Sequence, residues 1–461
     1  MGVHDKILKL INKKNFDFIP DSYDDPKVWA LIGSKYTAGL FQIGTKTYKQ
    51  RMPRLKPKTI KELAACLALV RGPCIASKMD ERYMKIIEGK EEIELIHPIY
   101  DKVCKVTNGV LLYQEQLMKI CNNIGFSLEE GYKIMKHSAK KHFEELKAYE
   151  KDFMELAKKI NMDIDIAKRI FKMIVDSGLY SFNESHAIAY AILCYIGAYL
   201  KVYYPREFLV ASLTNAYERK EDVVDLINEC RRLGYKFISP DINKSSWDFT
   251  MEDENNIRVG FCAIKSFGEK AYEELSSKRP YTGLDNLLEK VVKKECGKRA
   301  IVPAIFTGCF SEFYEYRIDA YLEYCKMNKS DPDEEISIQG KKEKLNVKKS
   351  LDKDFEEAYL EVALISDPVN SFKPINIDEI NNYSNFNILG ILNKVKKIKD
   401  RNGKQMAFVS LNTGDGLIET VMFADQYKEY KSYIKKNLIC NYNLKKNKDG
   451  YIVNSVELSA A

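Results

Sequence analysis

Apolar residues recur three and four positions apart through most of residues 20–216, which is the spacing of one buried face of an α-helix. Polar residues at the starts of these runs fit helix caps, as where Ser127 precedes Glu130 by three positions in the capping-box pattern. The pattern predicts a nearly all-helical first half, with its clearest helices in residues 59–70, 109–124, 127–160, 163–178 and 184–204.

From residue 222 the pattern changes to short mixed elements. Residues 328–353 form the most polar stretch of the chain, which predicts a linker or a long loop. In residues 386–458, apolar and polar positions alternate in five short runs, with a helix after the third. This order predicts a small Greek-key barrel of the OB type. The expected fold class is therefore multidomain and mainly α-helical, followed by a small β-barrel.

Composition narrows the class of protein. With 461 residues the chain is too long for one ordinary core, so two to four domains are expected. Apolar residues make up 45% and charged residues 30%, which fits a soluble globular protein and excludes a disordered chain. The most apolar stretch contains Gly197 and Lys201, so no membrane span is expected, and the N-terminal residues lack the apolar core of a secretory signal.

The cysteines indicate a reducing compartment. There are eleven of them, an odd number, and none forms a C-x-x-C pair or lies within metal-ligand spacing of a histidine. This predicts buried thiols in a cytosolic protein, without a disulfide framework and without a zinc site.

The net charge of +7 gains meaning only where basic residues cluster. Lys133 lies three positions before Lys136, and Lys140 and Lys141 lie four and five positions after it, which predicts a broad basic helix face that could neutralise phosphates. The alternative is an ordinary solvated surface helix, because two glutamates follow within a turn.

Two other segments present groups that suit a nucleotide. Asn183, Ser185 and His186 stand at the start of a long apolar helix, where N–H groups favour a phosphate or a sugar, although an ordinary N-cap explains them equally well. Arg71 begins an Arg-Gly-Pro turn after an apolar helix. Such a turn can present an arginine to a phosphate, while Gly-Pro alone is a helix stop.

The acidic residues do not form a two-metal site. Asp163 and Asp165 lie two apart just before a helix, where acids favour the N-terminal dipole and do not face each other. No Gly-rich nucleotide fingerprint is present either. The residues thus describe a binder of polyphosphate and nucleic acid, without catalytic residues or metal ligands of its own.

Two regions of the second half suit DNA. Lys265 and Gly268 lie in a run that fits the turn of a helix-hairpin-helix, whose amides bind a duplex phosphate, although any short helical turn can contain glycine. In the predicted barrel, Phe408 could stack on a base of a single strand. The basic residues around the first hairpin fit either a DNA-binding edge or a solvated edge protected by charge: Lys394, Lys396, Lys397, Lys399, Arg401 and Lys404.

Taken together, these runs resemble a known family. YQEQ at residues 113–116 and FNESHAIAYA at residues 182–191 are the most specific, and ELAACLALVRGP, KIMKHSAKKHFEE and VGFCAIKSFGEKAYEEL fall in the same order. The chain resembles the C-family replicative polymerases, the bacterial DNA polymerase III alpha subunits, colinearly from about Thr37 to Phe372 and on into the barrel.

The resemblance implies roles for the basic and polar groups. Arg71 matches the arginine of the family's R-P-G-P turn, Lys140 and Lys141 match its G-K-K lysines, and Lys136 matches the second position of its R-R pair. Residues 183, 185 and 186 match its N-K-S-H segment. By this resemblance these residues hold the triphosphate and sugar of an incoming dNTP. The family's phosphoesterase-like domain, palm and thumb are not found among these residues, and Met135 stands at the first R-R position.

The resulting hypothesis is the C-terminal part of a split or shortened C-family DNA polymerase. Its expected partners are dNTP, primer-template DNA, a palm-containing chain that binds the Mg²⁺ ions and, less directly, a sliding clamp, although no clamp peptide is apparent near Gln339. The expected location is the cytoplasm of a bacterium, whether the genome is cellular or phage. The alternative is a non-catalytic DNA-binding or polymerase-interfering protein on the same scaffold. The expected domains are an N-terminal remnant (1–19), fingers (20–221), a helix-hairpin-helix region (222–375) and an OB domain (376–461).

Overall fold

The computed structural model describes residues 3–11, 22–178, 180–219, 223–330, 336–338, 341–343, 383–413, 417–434, 439–447 and 450–458. By contact, the chain divides into two compact units. One is Ile11–Pro205, and the other combines Met1–Leu10 with Arg206–Ala461. Gln339, near which the sequence shows no clamp peptide, lies outside the described residues.

Within its described part, the regular elements of the unit Ile11–Pro205 are helices. Its helices are α2 (Pro26–Ile32), α3 (Lys46–Leu55), α4 (Ile60–Leu69), α5 (Gly72–Ala76), α6 (Met79–Ile87), α7 (Pro98–Cys104), α8 (Gln114–Ile124), α9 (Leu128–Lys140), α10 (Phe143–Lys159), α11 (Ile164–Ser177) and α12 (Glu184–Tyr203). Helices α7 to α11 surround one apolar core, which includes Tyr100, Leu117, Ile134, Phe153 and Phe171. Helix α12 packs separately on α4 and α2.

Small residues explain the close contact of α12 with α4. Ala187, Ala191 and Ala198 of α12 and Ala64 and Ala68 of α4 are all buried. By length and composition alone, α12 is apolar enough to cross a membrane. Core helices pass the same test, and here α12 packs among protein helices.

Helix α12 is also tied to the start of α2 by hydrogen bonds. The Tyr195 hydroxyl accepts the Asp25 N–H at 3.0 Å, and the Tyr203 hydroxyl donates to the Asp25 carboxylate at 2.6 Å. Asp25 in turn caps α2 by accepting the N–H groups of Lys27 and Val28.

One predicted helix is divided in two. The run 127–160 forms α9 and α10, which separate at Lys141, a residue with left-handed backbone at φ 58°. The start of this run agrees with the sequence, because Ser127 and Glu130 form the predicted capping box. The prediction that Lys141 continues the basic face of Lys133, Lys136 and Lys140 is therefore wrong, since Lys141 stands beyond the last helical residue.

The second unit begins with helices and a small sheet. Its helices are α1 (Val3–Leu10), α13 (Pro205–Arg219), α14 (Val224–Arg232), α15 (Glu269–Ser276), α16 (Leu284–Lys290), α17 (Lys298–Phe306) and α18 (Arg317–Asn328). Strands β1 (Lys236–Ile238), β2 (Thr250–Met251) and β3 (Asn256–Arg258) form a sheet in the order β1-β3-β2. The core around α15 to α18 includes Phe261, Leu284, Phe306 and Tyr321.

A short hairpin lies in the stretch that was expected to be a linker. Strands β4 (Ile336–Ile338) and β5 (Lys341–Glu343) pair antiparallel. The expectation of a structureless segment from 328 to 353 is corrected at these positions, and residues 344–353 lie outside the described residues.

The chain ends in a closed barrel, as predicted. Its strands are β6 (Asn385–Lys399), β7 (Gln405–Asn412), β8 (Leu417–Met422), β9 (Ile439–Asn447) and β10 (Gly450–Leu458), in the order β10-β8-β7-β6-β9. Helix α19 (Ala424–Tyr430) lies after the third strand. Alternating inward residues such as Val409, Leu411 and Leu444 fill the interior. The predicted class, a mainly helical chain followed by an OB-like barrel, is confirmed.

Candidate nucleotide and nucleic-acid interfaces

The Arg71 turn forms the first part of the candidate nucleotide site. Helix α4 ends at Leu69, and Arg71 is the N-cap residue of the short helix α5. The Arg71 guanidinium lies over the ring of Phe182, with 4.3 Å between its Cζ atom and the ring centroid. This cation–π contact orients the guanidinium without occupying its N–H donors.

Phe182 connects this turn to the start of α12. Its ring meets His186 edge to face at 5.3 Å, and His186 lies against Tyr190 with ring centroids 4.0 Å apart. Tyr190 in turn contacts Phe41. The structure thus brings Arg71 and His186, which are distant in sequence, into contact with one aromatic ring. The His186 and Ser185 side chains are exposed.

Asn183 has the capping role that the sequence left open. Its Oδ1 atom accepts the His186 N–H at 2.8 Å and the Ser185 hydroxyl at 2.7 Å. Its Nδ2 group donates to Glu115 at 2.7 Å, and the Glu115 carboxylate also accepts the Glu184 N–H at 2.9 Å. Backbone donors that we expected to face a phosphate are therefore bonded within the chain, beside a carboxylate.

The YQEQ segment holds Phe182 in place. Phe182 forms a parallel bridge with this segment, in which its N–H donates to the Leu112 carbonyl and its carbonyl accepts the Gln114 N–H, each at 3.0 Å. The buried Gln116 side chain accepts the N–H groups of Leu112 and Tyr113, each at 2.9 Å, and donates to the Thr107 hydroxyl at 2.7 Å. Sequence reasoning recognised this motif but assigned no role to Glu115, Gln116 or Phe182.

The lysine group lies at the end of α9. Lys136, Lys140 and Lys141 are exposed, whereas Lys133 is paired with Glu129 at 2.7 Å. The lysines also stand at the negative end of the helix dipole, which by itself favours cations there. For Lys133, whose charge is paired with Glu129, the alternative interpretation as part of an ordinary solvated helix surface therefore fits.

Close packing links the lysine end of α9 to the Phe182 segment. A Cβ atom added to Gly178 would collide with the side chain and backbone of Ser138, so the end of α11 touches the last turn of α9. Only a short segment then separates Gly178 from Phe182. No contact joins Lys136, Lys140 or Lys141 to Arg71 among the contacts described for this unit.

The described carboxylates do not fit a two-metal centre. Asp163 caps α11 through the N–H groups of Asp165 and Ile166, and Asp165 is exposed beside Lys168. Within the described ranges, possible metal ligands converge in one group of three, formed by His137, His142 and Glu145. A pair of Mg²⁺ ions would therefore need carboxylates from outside these residues.

The hairpin before α15 has the expected form. Ser266 adopts a left-handed backbone at φ 66°, and Gly268 is the N-cap residue of α15. A Cβ atom at Gly268 would meet nothing within 4 Å, and its φ of −98° suits any residue. Internal packing therefore gives no reason for glycine here, whereas the close approach of an external group would. Lys265 is half-buried, and the acidic Glu269 begins the helix.

The barrel separates the predicted basic residues onto two faces. Lys396 pairs directly with Phe408, and Lys394 lies two residues away on the same side. Lys397 pairs with the buried Ala407 and projects from the opposite side of the ribbon, as does Lys399. Arg401 and Lys404 are exposed in the turn that Asp400 organises by accepting two backbone N–H groups. The prediction of one basic strand pair is corrected to two separate faces.

Phe408 lies on an outer surface suited to stacking. Its side chain is 40% exposed on β7, opposite Val421 of β8. Phe423, two residues after Val421, is 47% exposed, and the sequence analysis did not single it out. Its position directly after β8, at the N-cap of α19, is the signal that could have indicated it.

Comparison with known proteins agrees with these features. Residues 2–161 match the family described as "Bacterial DNA polymerase III alpha subunit finger domain", and residues 234–320 match "Helix-hairpin-helix motif". The chain is similar to DNA polymerase III subunit alpha of Aquifex aeolicus, with 29% identity over 94% of the chain and 39% of that protein. The corresponding protein of Bacillus subtilis is 28% identical over 94% of the chain and 41% of its own length.

The similarity extends to a distant bacterium, since the subunit of Pseudomonas aeruginosa is 27% identical over 92% of the chain. In each case the chain spans about two fifths of the length of the curated relative it matches. The matched parts are the finger domain and the helix-hairpin-helix motif, in the order that the fold presents them. These matches therefore support relating the chain to one part of the bacterial DNA polymerase III alpha subunits.

Proposed function

We propose that this chain binds the incoming dNTP and the primer-template DNA during template-directed DNA synthesis in the bacterial cytoplasm. In this proposal the carboxylates that bind Mg²⁺ belong to a palm supplied by a separate chain. This chain contributes positioning and charge, which are the main protein contributions to nucleotidyl transfer besides the metal ions.

The observation that carries the proposal is the contact of Arg71 and His186 with the same ring, Phe182. The family resemblance implies that these two residues, which come from separate segments, hold one nucleotide. Within the described part of the chain no hydrogen bond engages the Arg71 guanidinium, which therefore suits a phosphate, and an exposed imidazole between two aromatic rings suits a sugar or base. Because Glu115 occupies the start of α12, we assign the phosphates to Arg71, Lys140 and Lys141. Asn183 then acts by fixing the position of Ser185 and His186.

The second unit would hold DNA by two surfaces. The Gly268 hairpin offers open backbone beside the N-terminus of α15, which suits a duplex phosphate without sequence preference. The barrel face with Phe408, Lys394 and Lys396 offers an aromatic ring beside cations, which is the combination that binds single strands. Lys265 would contribute charge at the hairpin, and Arg401 and Lys404 would do so at the barrel turn.

The experiment that tests the proposal measures binding and incorporation separately. The purified chain should bind primed DNA with an affinity that falls steeply with salt, because released counterions drive the association. It should incorporate no nucleotide unless a palm is supplied. Incorporation by the chain alone would contradict the separate palm, and salt-independent DNA binding would contradict the DNA-binding surfaces.

The same assay distinguishes the proposed function from the alternative, which is a non-catalytic protein that binds DNA or interferes with a polymerase. Both functions predict DNA binding, so the deciding observation is extension when a palm is present. Inhibition of a complete polymerase by this chain, without extension in any combination, would favour the alternative.

A further inference from the structure

The turn between α9 and α10 brings two histidines together. The His142 N–H donates to the His137 carbonyl at 3.0 Å, and the Lys141 N–H donates to the Ser138 carbonyl at 3.2 Å. With the left-handed Lys141 between them, these two bonds form a Schellman turn. Such a turn usually joins its first and last side chains by an apolar contact. Here the two positions are occupied by imidazoles.

The imidazole nitrogens converge with a carboxylate. His137 Nδ1 and His142 Nδ1 are 3.3 Å apart, and Glu145 Oε1 lies 3.9 Å from His142 Nδ1. The ring of His137 packs on Tyr149 of α10, which limits its rotation. Two nitrogens bound to one tetrahedral Zn²⁺ at about 2.0–2.1 Å would be about 3.3 Å apart. The histidine pair therefore has the ligand separation of a metal site before any ion is bound.

We propose that His137, His142 and Glu145 bind a divalent transition-metal ion of the Zn²⁺ type. Two imidazoles and one carboxylate are a ligand set that zinc uses in proteins, with the fourth position left to water. Imidazole ligands disfavour Mg²⁺, which prefers oxygen. The Glu145 side chain is 52% exposed, so its rotation can complete the set.

The ion would join the last turn of α9 to the first turn of α10. It would hold Lys141 in its left-handed conformation and fix the direction of Lys140 beside it. This site depends only on the geometry of these two helices, so it is independent of the polymerase function proposed above. The site was not expected from the sequence, because His137 and His142 are five residues apart, a spacing that brings side chains together only through this turn.

The test is a titration of the metal-free, tag-free chain with Zn²⁺ by calorimetry and with Co²⁺ by visible absorption. We expect one ion per chain and the d–d bands of low-coordinate Co²⁺ with nitrogen and oxygen ligands. The double variant His137→Leu/His142→Leu should lose this site while keeping the fold, because it restores the apolar pair typical of the turn. Glu145→Gln should weaken binding about tenfold or more.

The matched control is His97→Asn, which changes a histidine that caps α7 through its ring and lies outside the cluster. Asparagine keeps a capping acceptor, so metal binding should be unchanged. His142→Gln provides a second, milder variant at an exposed position, and it too should lose the site. Absence of a stoichiometric site in the unaltered chain, or a site that survives both histidine variants, would overturn the proposal.

Discussion

Glu115 occupies the N-terminus of α12 with its carboxylate. Its carboxylate accepts hydrogen bonds from the Asn183 side chain and from the Glu184 N–H, at 2.7 and 2.9 Å. The N-terminus of a helix attracts an anion, and at the start of α12 the Glu115 carboxylate is that anion. Glu115 therefore holds Asn183 in position, and for this reason the proposed function assigns the nucleotide phosphates to Arg71, Lys140 and Lys141.

Replacing this carboxylate should loosen the start of α12. Glu115→Ala removes two hydrogen bonds to a charged acceptor, for which we expect a decrease of about 1–2 kcal/mol in local stability. Amides of residues 183–187 should then exchange hydrogen about 5–30 times faster, as measured by mass spectrometry. Glu129→Ala, which removes only the exposed partner of Lys133, serves as the control and should leave these amides unchanged. If these amides exchange hydrogen at the same rate in both variants, Glu115 does not stabilise the start of α12.

Gly268 allows stability and DNA binding to be separated. Because a Cβ atom there would meet nothing within 4 Å, Gly268→Ala should keep the fold, with a stability change of about 1 kcal/mol or less. The added methyl group would stand where a duplex phosphate approaches the backbone, so duplex affinity should fall severalfold in an anisotropy assay. Ser277→Ala, at the exposed far end of the same helix, should leave affinity unchanged. Unaltered affinity in Gly268→Ala would show that this hairpin does not contact DNA.

At the scale of elements, the barrel ribbon offers a test with its own control. Lys394 and Lys396 share a face with Phe408, whereas Lys397 and Lys399 project from the other side. Lys394→Ala/Lys396→Ala should weaken single-strand binding and reduce the salt slope by about 0.7 for each phosphate that is no longer neutralised. Lys397→Ala/Lys399→Ala removes the same charge from the other face and should have the smaller effect. Equal weakening in both pairs would indicate general attraction without a defined face.

The elements themselves were largely predictable, but their breaks and faces were not. Periodicity identified the helices, the barrel strands and the helix after the third strand, because each buries one regular face. It could not reveal the end of α9, since Lys141 adopts a left-handed backbone that sequence usually signals by glycine. Nor could it assign Lys394 to a face, because a bulge between Leu392 and Lys394 shifts the alternation by one residue.

At the candidate nucleotide site, the sequence indicated several of the residues but not the residues that they contact. Arg71, Asn183 and His186 were indicated by local chemistry and by the family resemblance. Phe182 was not, because an aromatic residue beside a helix start is ordinary until its contact with Arg71 is seen. Glu115 was missed for a similar reason, since its partners lie far away in the chain.

At the scale of the whole molecule, the candidate nucleotide residues and the candidate DNA residues belong to different compact units. Arg71, Lys140 and His186 lie in Ile11–Pro205, while the hairpin and the barrel lie in the unit that includes Arg206–Ala461. The proposed domain boundary after residue 221 stays a prediction. In the proposed function, one unit holds the primer-template and the other holds the nucleotide that extends it.

Primer extension by a chimera tests this central claim most directly. In it, the chain replaces the matching part of the Bacillus subtilis relative, which provides the rest of a polymerase. The chimera should extend a primed template, and Lys140→Ala/Lys141→Ala should reduce nucleotide use at least about tenfold, as expected when charges that bind phosphate are removed. Lys158→Ala/Lys159→Ala, which removes equal charge from the last turn of α10, should change little. A chimera that binds DNA with normal salt dependence but extends no primer, or extends it equally well without Lys140 and Lys141, would contradict the account.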